Sequence, residues 1–373
     1  MSYAAHLAVP DVAVAKIIPL NAIPAAWDKD WADLARHASE PNPFAECWFM
    51  RPAICHLVTT ADSRMIAVWQ GELLLGLLPL VLSPKYGRLP VRHVQNWVHY
   101  HCFYGAPLVR AGQEHMFWAA ALTLLDGESW ASNFLHVTGL DLNGPVITSL
   151  RDIRHADIVH RSARALLRSN LGPEDYYAAN VRPKKRKEIR RLRSRLDELG
   201  TVEFTTLEAD GSVDTWINDF LTLEASGWKG REGSALSGTT PTKSFFEAAV
   251  RGAHRVGTLE MLRLTLDGKV IAMLINFMTP PGGFAFKIAF DEDYGRFSPG
   301  VLIKIENLKV LGRPDIDWMD SCAVEDHPMI NSLWAERREI VRITVPLAGA
   351  RRKAVFRGAR LLERTAAWVR GRR

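Results

Sequence analysis

The sequence has no apolar run long enough to cross a bilayer. Its longest, Leu73–Leu82, holds Gly76 and Pro79 and falls far short of the roughly 20 residues that a helical crossing needs. No charged-plus-apolar leader is visible either: Met1–Val14 is mild and carries Asp11. Cysteine is scarce. Cys47, Cys55, Cys102 and Cys322 show no Cys-x-x-Cys spacing, which points to free thiols in a reducing cytoplasm. His93, His99, His101 and Cys102 cluster, but no carboxylate or second pair completes a ligand set, so no metal site is expected. A uniform charge is also missing. The formal net charge is +6, yet Arg182–Arg195 and Arg351–Arg373 each hold nine Lys/Arg against one Glu, so each carries +8 and the remainder −10. An acidic body with two basic segments argues against a nucleic-acid partner.

What is present is ordinary for a globular protein. The 373 residues are 47% hydrophobic and 24% charged, enough for two domains with sizeable cores. Asn21–His37 reads as a helix with Trp27, Trp31 and Leu34 on one face, and Pro41 and Pro43 end it. Met65–Trp69 and Leu73–Leu82 read as a hairpin. Glu114–Asp126 reads as a helix and Asn133–Leu140 as a strand. Gly172-Pro173 opens a new section. Pro183–Leu199 is a cationic helix with an apolar seam of Ile189, Leu192, Leu196 and Leu199. Ser212–Leu223 is amphipathic, and Glu224–Ser237 is a Gly/Ser-rich loop around Trp228 and Lys229. These breaks predict domains at 1–170 and 171–346, then a basic helical tail, 347–373, with Val355, Leu362 and Val369 spaced by sevens.

The most informative stretch is Leu259–Gly312. Leu259–Leu266 ends at Asp267-Gly268, a strong hairpin signal. Val270–Phe277 returns as an apolar run suited to a buried central strand. Phe284–Phe290 is a third strand. After Asp291–Gly300 comes a periodic helix, Val301–Leu311, with Ser298 suited to the N-cap, Pro299 to the first helical position and Gly312 to the stop. A strand feeding a helix N-terminus through a glycine-bearing loop makes an anion site, and a phosphate-bearing cofactor is its natural guest.

This order, an α/β chain with a mixed α+β sheet, resembles the acyl-CoA N-acyltransferase (GNAT) fold. It more closely resembles one branch, the bacterial cellulose-biosynthesis acetyltransferase group, which is related to Fem-type transferases and carries two GNAT-like units in tandem. The residues behind the resemblance are the basic helix Lys184–Leu199, Leu223-Glu-Ala-Ser-Gly-Trp-Lys-Gly230, Phe290-Asp-Glu-Asp-Tyr294 with Ser298-Pro-Gly300, and Asp317-Trp-Met-Asp320 followed by His327 and Trp334. They cover roughly residues 175–345. One departure stands out: the common pyrophosphate loop Arg/Gln-x-x-Gly-x-Gly/Ala is reduced here to Arg296-Phe-Ser-Pro-Gly-Val, with only its last glycine in place.

The resemblance implies acyl transfer from acetyl-CoA or another acyl-CoA to an amine or hydroxyl of a small-molecule or saccharide acceptor, in exopolysaccharide or envelope biosynthesis. Ala289 and Phe290 would line the pantetheine. Arg296, Phe297, Ser298, Gly300 and Val301 would receive the phosphates. Glu224, Asp320 and His327 are the candidate catalytic groups. Trp228, Lys229 and Tyr104 would border the acceptor. Each has a plainer reading: Glu224 as an ion-paired helix end, His327 as an exposed loop residue, Trp228 as packing. The basic tail, 351–373, would suit an anionic surface and so a cytoplasmic protein peripheral to the inner membrane; a disordered or partner-binding tail fits as well. Two other functions compete. One is Fem-type aminoacyl transfer from charged tRNA, with the basic helix on the RNA. The other is an inactive scaffold for polysaccharide synthesis.

Overall fold

The computed structural model describes residues 12–60 and 62–370, with side chains in the last helix described to 365. Most of Met1–Val14 and the side chains of Trp368 and Val369 therefore lie outside what is described. The chain divides into two compact units.

The first takes in the described residues of Met1–Cys47, Thr59–Arg161 and Ile340–Arg373. Its sheet runs Val14–Pro19, Ser63–Gln70, Leu73–Ser83, His93–Asn96, Phe134–Asp141 and the end of Glu336–Pro346. All neighbours are antiparallel except His93–Asn96 on Phe134–Asp141. The expected hairpin is present, turning at Gly71 with φ +57°. The expected helix at Asn21–His37 is shorter, Asp28–Arg36, because Pro24 leads into a single 3-10 turn before it. A further helix, Pro145–Ile153, with Val146, Ile147 and Leu150 buried on one face, and the strand Asp157–Leu167 add two elements that the sequence reading passed over.

The tail is a helix, Ala350–Arg370, but not on the expected seam. Leu362 is exposed, while Phe356, Ala359 and Arg360 are buried. Phe356 packs on Phe134, Arg352 donates to the carbonyls of Glu128 and Ala131, and Arg360 pairs with Asp157. Part of the tail's charge is thus spent inside the unit. No helix among the described residues is long and apolar enough to cross a membrane.

The second unit holds Trp48–Val58 and Ser162–Glu339. Its sheet runs from the end of Asp157–Leu167 through Trp318–Asp320, Gly282–Phe290, Lys269–Thr279 and Leu259–Leu266 to Val202–Thr206. The Asp267-Gly268 turn has φ of +47° and +79°, the pair of left-handed residues that a two-residue hairpin requires. The expected central strand, Val270–Phe277, lies within Lys269–Thr279, and Ile271–Thr279 is buried throughout.

One sheet face carries the helices Pro173–Asn180, Pro183–Asp197 and Pro299–Glu306 over a core that includes Ile189, Leu196, Leu274, Leu302 and Trp334. Leu199, expected on the seam, is exposed because the helix stops at Asp197. On the other face, Phe49 meets Phe245, Phe277 and Phe286 with ring centroids 5.2–6.0 Å apart. Phe49 belongs to the helix Cys47–Leu57, whose Pro52 hid it from the periodicity. Trp48 closes on Phe277 at 4.9 Å, and a side chain at Gly252 would stand 2.9 Å from the Trp48 carbonyl oxygen.

Candidate active site

The site begins where a sheet contact ends. Gly282–Phe290 and Trp318–Asp320 run parallel, but only Gly282↔Trp318, Gly283↔Met319 and Phe284↔Asp320 are paired. Just beyond, Ile275 faces Lys287 and Asn276 faces Ala285, so Phe286 is an extra, bulged residue. A bulge bends its strand and increases its twist. The strand continues to Phe290, opposite Ala272, with partners on that edge alone. The sheet therefore splits, and no strand pairs with 285–290 on that edge among the described residues.

The bulge also sets which side chains face which way. Phe286 stacks on Phe277 at 4.5 Å, and Lys287 Nζ lies 5.4 Å from the Phe286 ring. Lys287 thus shares a face with the helix Val213–Ser226, which extends three residues past its expected end and carries Glu224 in its last turn. Glu224 is buried. Its Oε1 accepts from Lys229 Nζ and its Oε2 from the Leu236 amide, both at 2.8 Å. Across the cleft, Glu292 accepts from the Trp228 amide at 2.7 Å and pairs with Arg231. Two carboxylates so pin the Gly227–Leu236 loop, and Glu224, Trp228, Lys229, Ala289 and Phe290 line one cleft.

At the apex of the split stands Asp320, with no exposed surface. Its Oδ1 accepts from the Cys322 amide at 2.8 Å, and its Oδ2 faces Arg338 at 3.2 Å and Arg164 at 3.8 Å. The first bond holds Cys322 at φ +53°, a conformation that costs of order 1 kcal/mol outside glycine. Burial pushes the Cys322 thiol pKa well up, so it stays neutral. Burial pushes Lys287 down to about 8, helped by Lys229 and opposed by Glu224 and Cys322. Lys304, on the helix Pro299–Glu306, is likewise pushed down to about 8 by burial, with Cys322 its opposing neighbour.

That helix starts against the far end of the split strand: a side chain at Gly300 would stand 3.3 Å from the Phe290 ring. Ser298 occupies the cap position but does not cap. It sits in the left-handed region, φ +53°, and its hydroxyl makes no capping bond; its carbonyl accepts from the Val301 and Leu302 amides. The α-helix ends at Glu306 rather than Leu311, tightening to a 3-10 turn where buried Asn307 bonds Asn276. Arg296 is exposed and lies over Phe297, 4.8 Å from its ring. The basic helix Pro183–Asp197 packs against this same Glu292–Phe297 turn.

Residues 183–326 match the family model described as Acetyltransferase (GNAT) domain. No curated protein matches the chain. Among solved structures, FemX is similar with a TM-score of 0.59 at 9% identity, over 90% of this chain and 98% of that one. A conserved protein of unknown function from Bacteroides thetaiotaomicron is similar with a TM-score of 0.53 at 13% identity, over 90% and 99%. The C-terminal domain assigned to a lysylphosphatidylglycerol synthetase of Agrobacterium fabrum follows at 0.52 and 13% identity, over 91% and 97%. The chain thus carries a GNAT-like acetyltransferase domain, and its mixed α/β fold is the one these structures share.

Within the GNAT domain, the cleft gathers Glu224, Trp228, Lys229, Ala289 and Phe290 from the sequence reading, with Gly300 adjoining. Phe297 is buried in the core, so only its backbone is free to meet a ligand. His327 begins the Pro328–Asn331 turn, and its Nδ1 makes no hydrogen bond among the described residues. Tyr104 belongs to the first unit, where it is buried with its hydroxyl on Glu40. Sequence reasoning missed Lys287, Lys304 and Cys322. Two of them left a signal: each lysine is a lone charge inside an apolar run, Phe284–Phe290 and Val301–Ile305, which is rare for a lysine unless the site uses it.

Proposed function

We propose that the split holds an acyl-CoA thioester and transfers its acyl group to an amine or hydroxyl of a small-molecule or saccharide acceptor. The observation that carries this is the split itself: a bulged strand, freed from its neighbour after Phe284, leading straight to a helix N-terminus. An extended pantetheine arm can add to the 285–290 edge as a strand would, with its phosphates at Ser298–Val301 and Arg296. The acceptor enters on the face that carries Glu224, Trp228 and Lys229.

Lys287 is suited to the proton traffic. As a neutral amine it takes a proton from the attacking acceptor while the new bond to the carbonyl carbon forms. As an ammonium it returns that proton to the CoA thiolate when the carbon–sulfur bond breaks. A base titrating near 8 predicts a rate that rises with pH through about 8. Lys287→Gln should remove that limb from the kcat profile. An unchanged profile would take the role away from Lys287.

The Glu-Ala-Ser-Gly-Trp-Lys-Gly and Ser-Pro-Gly segments, through their resemblance to the cellulose-biosynthesis group, favour an acceptor in exopolysaccharide or envelope synthesis. One observation favours a second reading, aminoacyl transfer from tRNA: the basic helix Pro183–Asp197 lies against the donor turn. Calorimetric titration separates the two. Acetyl-CoA should bind saturably, and Arg296→Ala should weaken it about tenfold, or about 1.4 kcal/mol, with the melting temperature unchanged because Arg296 is exposed. No CoA binding, with tRNA bound along a steep salt slope, would replace the first reading by the second.

A further inference from the structure

The basic helix Pro183–Asp197 carries more charge than its own fold uses. Ile189, Leu192 and Leu196 bury one side of it. Its two acids are taken: Glu188 pairs with Lys185 and Asp197 with Arg193. Lys184, Lys187, Arg190, Arg191 and Arg195 remain, all exposed. At about 3.6 residues per turn, Lys184, Lys187, Arg191 and Arg195 fall in one row about 16 Å long on the side away from the core. Like charges at successive i, i+4 steps repel one another, and an extended anionic partner relieves them.

The helix adjoins the cleft. Glu292 opens the Glu292–Phe297 turn and lines the cleft with Ala289 and Phe290. The basic helix packs on that same turn and on the helix Pro299–Glu306, which starts against Phe290. Ile189 shares a buried cluster with Phe297 and Leu302. The row therefore flanks the Phe290 end of the split. Its length exceeds what one phosphate needs and calls for a macromolecule. The helix has no aromatic residue on which bases could stack. The chain outside its two basic segments carries −10, which repels a large polyanion but not a partner that touches this helix alone. Leu199, 48% exposed just past the helix end, adds an apolar contact of the kind protein interfaces use.

We propose that this row is the docking surface for a small acidic carrier protein that presents the acyl group on its own phosphopantetheine arm, so that the split takes a carrier-bound thioester as well as acyl-CoA. The proposal rests on the acyl-CoA reading above, because the two donors share the arm and the thioester. The carrier's acids meet the row, as complementary charge at an interface requires, and its pantetheine thiolate leaves as that of CoA does. Acetyl-CoA and an acyl carrier protein loaded with acetyl, titrated separately by calorimetry into the full chain, test it. The loaded carrier should bind saturably, and more weakly as salt is raised. Lys187→Glu combined with Arg191→Glu should weaken it at least tenfold, keep acetyl-CoA within twofold of wild type and leave the melting temperature unchanged, since both residues are exposed. The same pair changed to glutamine should lose a smaller share in the same direction. No binding of the loaded carrier beside normal binding of acetyl-CoA would overturn the docking surface and leave the acyl-CoA reading standing. Carrier binding indifferent to the double variant would also overturn it. So would an equal loss for both donors, which assigns the row to the CoA nucleotide, or a tenfold loss of tRNA binding in the same variant, which assigns it to aminoacyl transfer. Binding of neither donor would overturn both readings.

Discussion

Replacing Asp320 by alanine is expected to cost about 3–5 kcal/mol of folding stability, the usual penalty for leaving buried charges without their partner. Asp320 has no exposed surface, and two guanidinium groups, those of Arg338 and Arg164, face its Oδ2. Arg338 is itself buried over the ring of Trp318, at 4.7 Å, so it has no easy route to water once the carboxylate is gone. The same substitution removes the acceptor that holds the Cys322 amide at φ +53°, and the apex of the split should loosen with it. Urea denaturation measures the loss, and a value under about 1 kcal/mol would show that the arginines find other partners. A large loss has a second meaning: it places Asp320 as a positioning residue rather than a proton acceptor, since both its oxygens are committed.

Lys304→Met should act in the opposite direction. The lysine pKa is about 8 in the folded protein against 10.5 as its ordinary value. Between these values the unfolded chain binds more protons than the folded one, so stability rises with pH across this window. Below about pH 8 the native protein bears the whole cost of a buried cation, about 3 kcal/mol at 1.36 kcal/mol per unit. Methionine removes that cost. The variant should therefore be more stable than wild type at pH 7 by about that amount, with the difference fading by pH 10.5. Paired denaturation curves at the two pH values give the answer, and a constant difference would mean that packing, not charge, is responsible.

Much of this architecture was legible. The Asp267-Gly268 turn, the buried strand after it and the strand–loop–helix at 290–300 follow from local chemistry: two left-handed residues, an unbroken apolar run, and a proline at a helix start. These signals need no distant partner. The elements that escaped do. Pro52 lies inside a helix that tertiary packing of Phe49 and Trp48 sustains. The Phe286 bulge carries no glycine to announce it. Glu224 and Lys229 were legible as a pair but not as a clamp, because the partner that completes it is the backbone amide of Leu236.

The helix that supplies Trp48 and Phe49 has a practical consequence for anyone cutting the gene. The segment matching the family model starts at residue 183, and the main body of the second unit at Ser162. A fragment bounded by either would be deprived of the aromatic lid over Phe245, Phe277 and Phe286 and would present a sticky, greasy sheet face to its neighbours in the expression host. Solubility screens on such truncations would report on the missing eleven residues, Trp48–Val58, rather than on the segment that matches the family model. A single-chain rearrangement that splices those residues ahead of Ser162 is the smaller unit worth making.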